Sequence, residues 1–368
     1  MPAERLTYQS RRKQASAALR ARGLAALLLS PGSDLAYLAG YRVSTSERLT
    51  CLVVSAEGDA TLVVPELESP RAKIAAPDLS QRTWAETDDP HAIVARLVTA
   101  KGDVAVADQM WSSFVLPLQS ALPGRAFQLA SVVTRGLRMR KDAYEREALR
   151  AVSAAADRAF PRILEREFAG WTEREVAAEL AALLRDEGHD EVSFTIVASG
   201  PNGASPHHET GGRRIAHGDT VVLDFGGTRE WYCSDITRTV HVGGDVDDEV
   251  RRVHDIVRRS QEAGYSAART GATAASVDAA SRRVIEEAGY GERFIHRTGH
   301  GIGLDGHEHP YLVRGNDERL EPGMAFSIEP GVYIPGRFGV RIEDIAVLGD
   351  DGRAEPLNQA DHALAIVS

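Results

Sequence analysis

The chain has 368 residues, 43% of them hydrophobic and 26% charged, with a formal net charge of -10. An acidic balance with no run of Lys or Arg argues against a nucleic-acid surface, and the longest apolar stretch, Leu24 to Leu29, is too short to span a bilayer. The first residues, MPAERLTYQSRRKQ, contain no apolar h-region, and the only cysteines are Cys51 and Cys233, so the expected location is cytoplasmic with both thiols reduced.

A length of this size predicts about two domains. Residues 4–22 are charged with Ala/Leu periodicity and predict a helix stopped by Gly23. Residues 25–30 (AALLLS) predict a buried strand ended by Pro31-Gly32, and residues 33–40 a short helix. Residues 50–55 and 59–65 predict a hairpin, residues 91–100 a helix, and residues 103–108 another strand. This alternation points to an α/β domain, with a boundary that gives domains 1–138 and 139–368.

In the second domain, Leu149, Val152, Ala156, Phe160 and Leu164 recur at helical spacing, predicting a helix over 141–168 that Pro161 bends. A second helix starts at Thr172, with Glu175 three residues on as a capping box. Further helices are expected over 247–270 and 274–288. Strands are expected at 194–199, 220–226, 236–242, 324–330 and 341–347. The order is a helix pair, strands, a helix pair, strands.

Four carboxylates and one imidazole stand in short apolar or glycine-flanked segments: Asp224 in VVLDFGG, Asp235 in YCSDITRT, His300 in TGHGIGL, Glu329 in FSIEPGV and Glu343 in VRIEDIAV. Each alone has an ordinary reading as a turn residue, a strand-end charge or a solvated face. Together they pose an electrostatic problem, because desolvating each ionised carboxylate costs several kcal/mol. A hairpin brings Asp224 and Asp235 side by side, where they repel unless a cation lies between them. The oxygen-rich set with one nitrogen and no sulfur suits two divalent cations. Asp224, Asp235 and Glu343 would hold one, and Asp235, His300, Glu329 and Glu343 the other. Arg341 lies two residues before Glu343 and is expected on the same strand face.

The ordered segments LDFGG, SDITRT, HRTGHGIGLDGHE, SIEPGVYIPG and GVRIEDIAV resemble the creatinase/methionine-aminopeptidase superfamily of pita-bread metallopeptidases, and most of all its Xaa-Pro peptidases, aminopeptidase P and prolidase. The segment SPGSDLAYLAGY resembles their N-terminal domain. The resemblance implies a creatinase-like N-terminal domain and a catalytic domain with a curved, mainly antiparallel sheet covered by two helix pairs. It implies hydrolysis of the Xaa-Pro bond in dipeptides or short peptides with two metal ions, manganese first and cobalt, zinc or iron as alternatives. It places His207, His296, His307, Glu329 and Arg341 in catalysis, and His207, His307, Tyr333 and Arg341 against substrate. His208 and His309 are read as surface-loop residues. The implied partners are short proline-containing peptides and a second copy of the chain, with no nucleic acid and no membrane. Two other functions are weighed: another small-amide hydrolase on this scaffold, and a non-catalytic peptide-binding module. The complete ligand set disfavours the module.

Overall fold

A computed structural model describes residues 2–368. The chain divides into two compact units, Met1–Arg138 and Met139–Ser368.

The first unit is built on six strands: β1 (Leu24–Leu29), β2 (Cys51–Ser55), β3 (Ala60–Pro65), β4 (Ser80–Trp84), β5 (Asp103–Val106) and β6 (Phe127–Leu129). They lie in the order β4-β3-β2-β1-β5-β6. Helices α1 (Pro2–Ala21), α2 (Ser33–Ala39), α3 (Ser69–Ala75), α4 (Pro90–Leu97), α5 (Ser112–Ala121) and α6 (Ser131–Arg138) accompany them. Leu28, Val53, Val63 and Val104 pack with Val94, Phe114 and Leu118 in one core. The two strands that sequence reasoning missed, β4 and β6, are the sheet edges. Their sequences, SQRTW and FQL, carry little apolar signal because an edge strand buries less of itself.

The second unit contains helices α7 (Ala143–Leu164), α8 (Glu173–Asp186), α9 (Asp248–Ala267) and α10 (Ala274–Glu287). Its strands are β7 (Glu191–Ser199), β8 (Thr220–Arg229), β9 (Tyr232–Cys233), β10 (Ile236–Val242), β11 (Gly299–Gly301), β12 (Glu308–Leu312), β13 (Ala325–Ile328), β14 (Gly331–Ile334), β15 (Phe338–Arg341), β16 (Asp344–Leu348), β17 (Ala354–Pro356) and β18 (Ala365–Val367). One sheet runs β18-β10-β8-β7 with β9 beside β8, a second runs β12-β11-β13-β16-β17, and β14 and β15 form a hairpin. All of these pairings are antiparallel except β10 with β18.

Both members of the first helix pair start at complete capping boxes, Asp142 with Glu145 and Thr172 with Glu175. Ala156, Ala159, Phe160 and Ile163 of α7 pack with Val176, Leu180 and Leu184 of α8 over Leu223 and Ile236 of the sheet. The proline in α7 falls in its last turn, so α7 ends at Leu164 and not at residue 168. Helices α9 and α10 form the second pair.

The segment expected as one strand over 341–347 is two. Strand β15 ends at Arg341 in the hairpin, and β16 begins at Asp344 in the second sheet. Ile342 and Glu343 form the step between them, and Glu343 makes an isolated bridge to Thr237 of β10. A change of sheet needs such a step, and it turns Glu343 and Asp344 into different environments.

Candidate active site

Asp224 lies mid-strand in β8, directly opposite Thr237 of β10. Asp235 stands just before β10, in the gap after β9. His300 is the centre of the three-residue strand β11. Its flanking glycines serve the neighbouring strands more than they serve an open site. A Cβ on Gly299 would run into the Ser327 carbonyl, and one on Gly301 into the His309 carbonyl. Glu329 follows the end of β13, where Pro330 and Gly331 turn the chain into the hairpin.

These elements converge. Asp224, Asp235 and Glu343 offer ligand atoms within 4.8 Å of one another, and so do His300, Glu329 and Glu343. Glu343 belongs to both groups. A third group joins Asp235 and His300 to His307, whose ring lies 3.9 Å from that of His300.

The hydrogen bonding shows what the cluster requires. His300 Nδ1 lies 3.1 Å from the Gly301 carbonyl, so that nitrogen donates and Nε2 presents a lone pair. Nε2 faces Glu329, Asp235 and Glu343 oxygens at 3.4, 3.7 and 3.9 Å, beyond hydrogen-bond contact for the last two. Asp224 Oδ1 and Glu343 Oε1 are buried without a hydrogen-bond partner among the described residues. Burial first, then the neighbouring carboxylates, push the Asp235 and Glu343 carboxyls far above the ordinary range. Burial also drives Glu329 up to about 7 and His300 down to about 3. Lone pairs aimed at a common centre, with orphaned oxygens beside them, fit divalent cations.

The donors around the cluster are fixed. Thr237 Oγ1 donates to Glu343 Oε2 at 2.8 Å. Arg341 is buried and gives NH2 to Asp224 Oδ2 at 2.6 Å, NH1 to the Tyr333 hydroxyl at 2.9 Å and Nε to Thr237 at 3.2 Å. Its charge partly offsets the carboxylates, and its donors are already engaged.

A cavity of about 800 Å³ opens onto the cluster, walled by Phe194, Ile196, His207, His296, Arg297 and His307, with Arg341 at its floor. His207 is exposed on the loop before β8. His296 has both ring nitrogens engaged, by the Arg297 carbonyl at 2.7 Å and the Tyr333 hydroxyl at 2.9 Å. Tyr333 is buried and lies behind His296 and Arg341, so it reaches the cavity only through them. His307 Nδ1 accepts from Arg297 at 3.3 Å, which leaves Nε2–H as a donor toward the cavity. Burial lowers the His307 pKa, followed by Arg297 and His207.

Sequence reasoning missed several residues. Arg297 lines the cavity with its guanidinium over the Tyr311 ring, 4.4 Å from the centroid. His208 is not a loose loop residue. It is hydrogen-bonded to Glu173 at 2.8 Å. His309 is half-buried on β12 against Tyr311, at 4.7 Å between ring centroids. Arg238 and Asp344 are both fully buried and paired at 2.6 Å. A charged residue at mid-strand between Thr237 and Thr239 was the available signal for Arg238.

Comparison with known proteins extends this picture. Residues 146–350 match the model of metallopeptidase family M24, and residues 11–140 match the creatinase/prolidase N-terminal domain. The chain is 48% identical over 365 residues to a probable dipeptidase PepE of Mycobacterium tuberculosis, covering 98% of this chain and 96% of that one. It is 35% identical over 333 residues to an Xaa-Pro dipeptidase of Lactobacillus helveticus, covering 86% and 88%. The crystal structure of dipeptidase PepE from Mycobacterium ulcerans superposes with a TM-score of 0.94 at 45% identity, over 99% and 98% of the two chains.

Proposed function

We propose, for a chain that belongs to metallopeptidase family M24 with a creatinase/prolidase N-terminal domain and the pita-bread catalytic fold, the hydrolysis of Xaa-Pro dipeptides with two divalent metal ions. The observation that carries the metal reading is the lone pair of His300 Nε2, which faces oxygens of Glu329, Asp235 and Glu343 at 3.4, 3.7 and 3.9 Å. Asp224, Asp235 and Glu343 would hold one ion, and Asp235, His300, Glu329 and Glu343 the other. Manganese is the first choice, and cobalt, zinc or iron also suit these donors. The chemistry supplied by the bound pair is polarisation of the scissile carbonyl and a water acidified to a pKa of about 7.

The chain's own groups do the rest. Glu329 takes the water's proton and delivers it to the leaving proline nitrogen. His307 Nε2–H donates to the scissile carbonyl oxygen, and His207 stabilises the tetrahedral intermediate. Arg341 and Tyr333 act from below, with Arg341 holding Asp224 and the Tyr333 hydroxyl holding His296. Asp224 meets the substrate's free amine. Proline brings no amide N–H, so the apolar walls at Phe194 and Ile196 select it by shape.

Dipeptide restriction rests on Arg297. A substrate carboxylate leaving the cluster needs a cation, and Arg341 has its donors committed to Asp224, Tyr333 and Thr237. Arg297 is placed on the cavity wall to receive it. The same reading takes a cytoplasmic homodimer as the working form. Assays of Ala-Pro, Gly-Pro and Ala-Pro-Ala on the metal-loaded protein test it. Ala-Pro is cleaved and Ala-Pro-Ala is not, and Arg297→Ala raises KM for Ala-Pro about tenfold. Equal cleavage of the tripeptide makes the protein an aminopeptidase, and no cleavage of any of the three removes the Xaa-Pro reading.

A further inference from the structure

Outside the cluster, one buried carboxylate is saturated with donors, two of which, His208 and Gly211, come from the loop that carries His207. Glu173 is fully buried in the first turn of α8. Its Oε1 accepts from Ser199 N and Ser199 Oγ, both at 2.8 Å, and from Asn202 Nδ2 at 2.9 Å. Its Oε2 accepts from His208 Nε2 at 2.8 Å and Gly211 N at 3.2 Å. The backbone adds two bonds in the other direction, from Glu173 N to the Arg213 carbonyl and from Arg174 N to the Gly211 carbonyl. One carboxylate therefore ties the start of a helix to the end of β7, the turn Gly200–Ala204 and the loop PHHETGG.

That loop carries His207. Among the described residues, the His207 side chain makes no hydrogen bond, although it faces the cavity. Its place is set by its backbone, and its neighbour His208 is the residue locked to Glu173. His207 closes a turn that runs straight into His208, so anchoring His208 against Glu173 also fixes the backbone from which His207 reaches the cavity. The position of Glu173 at the positive end of a helix favours its ionised form. Burial opposes that charge, and the bonds from Ser199, Asn202 and His208 outweigh it and hold the carboxyl below the ordinary range.

We propose that Glu173 is a positioning residue for turnover, acting through His208 to fix the loop that presents His207 to the substrate. This rests on the reading of His207 as a group that stabilises the intermediate. A loop histidine displaced by about 1 Å loses on the order of a hundredfold in rate.

The test is a cycle of Glu173→Gln, His207→Ala and the double variant, read as kcat and KM for Ala-Pro together with manganese content. We expect His207→Ala and Glu173→Gln each to lower kcat about ten- to a hundredfold with metal content unchanged. The double variant then matches His207→Ala alone, because the group that Glu173 places is already gone. Losses that multiply in the double variant, or metal lost in Glu173→Gln, show a general structural role and overturn the proposal while leaving His207 in place. Full turnover in His207→Ala overturns the reading of His207 and the proposal with it. His208 gives a second route that spares the Glu173 bonds to Ser199 and Asn202. His208→Ala lowers kcat, and His208→Gln, which keeps a side-chain N–H donor, restores it. An unchanged kcat in His208→Ala overturns the proposal.

Discussion

Glu343 and Asp344 are neighbours in the chain, both buried and both acidic, and the protein treats them in opposite ways. Asp344 faces a saturated side of the step between β15 and β16. Arg238 donates to it at 2.6 Å, Gln261 at 2.8 Å and His362 at 2.5 Å. Burial pushes its carboxyl up, but Arg238 and His362 outweigh burial and hold it below the ordinary range. Glu343 faces the cavity with one donor, Thr237, and one orphaned oxygen, and its carboxyl is driven far upward. The difference is not burial, which both share. It is whether the chain supplies the counter-charge itself. Where it does, the carboxylate is structural, and where it does not, a cation from outside is required.

The sharpest way to break this contrast is to remove Glu343. Glu343→Ala takes a ligand from both proposed metal positions, so metal and activity should disappear together, with kcat falling on the order of 10⁴-fold or more. Elemental analysis beside an Ala-Pro assay checks it, and a variant that keeps both would end the assignment.

On the other side of the step the loss should be in stability. Arg238→Met leaves Asp344 buried without its main partner, a change that costs about 3–5 kcal/mol. Denaturant unfolding of the metal-loaded protein measures it. Arg238 also donates to the Glu343 carbonyl at 2.7 Å, so part of that loss reaches the metal side.

A smaller effect separates ligands from their neighbours. His307 lies within ligand reach of Asp235 and His300, yet it is exposed and bonded to Arg297. His307→Ala should keep the metal and lower kcat by about a hundredfold, the scale of one lost oxyanion donor. Loss of metal would instead move His307 into the ligand set.

The convergence of Asp224, Asp235, His300, Glu329 and Glu343 was legible in the sequence because these residues break local rules: acids in apolar strands and histidine between glycines. The two-domain architecture followed from the alternation of helix and strand in the first half and from motif order in the second. What could not be read was pairing across distance. Nothing near Glu173 in the sequence announces Ser199, Asn202 and His208, which lie 26 to 35 residues away. The break at Ile342 and Glu343 was equally hidden, since VRIEDIAV alternates well enough for one strand and only the second sheet divides it. Arg297 was passed over because a cation beside TGHG takes on meaning only once the cavity wall is known.

The requirement for an outside cation is tested most directly by unfolding the metal-stripped protein across pH, with and without manganese. In the stripped chain Glu329 is raised from its ordinary 4.5 to about 7, so the folded state holds a proton that the unfolded chain has released. That contribution to stability is complete below about pH 4.5 and is lost as pH rises through about 7. The account predicts that the melting temperature of the stripped protein falls between pH 5 and 8, and that manganese restores it most at the upper end. Identical melting curves with and without metal across that range would contradict it.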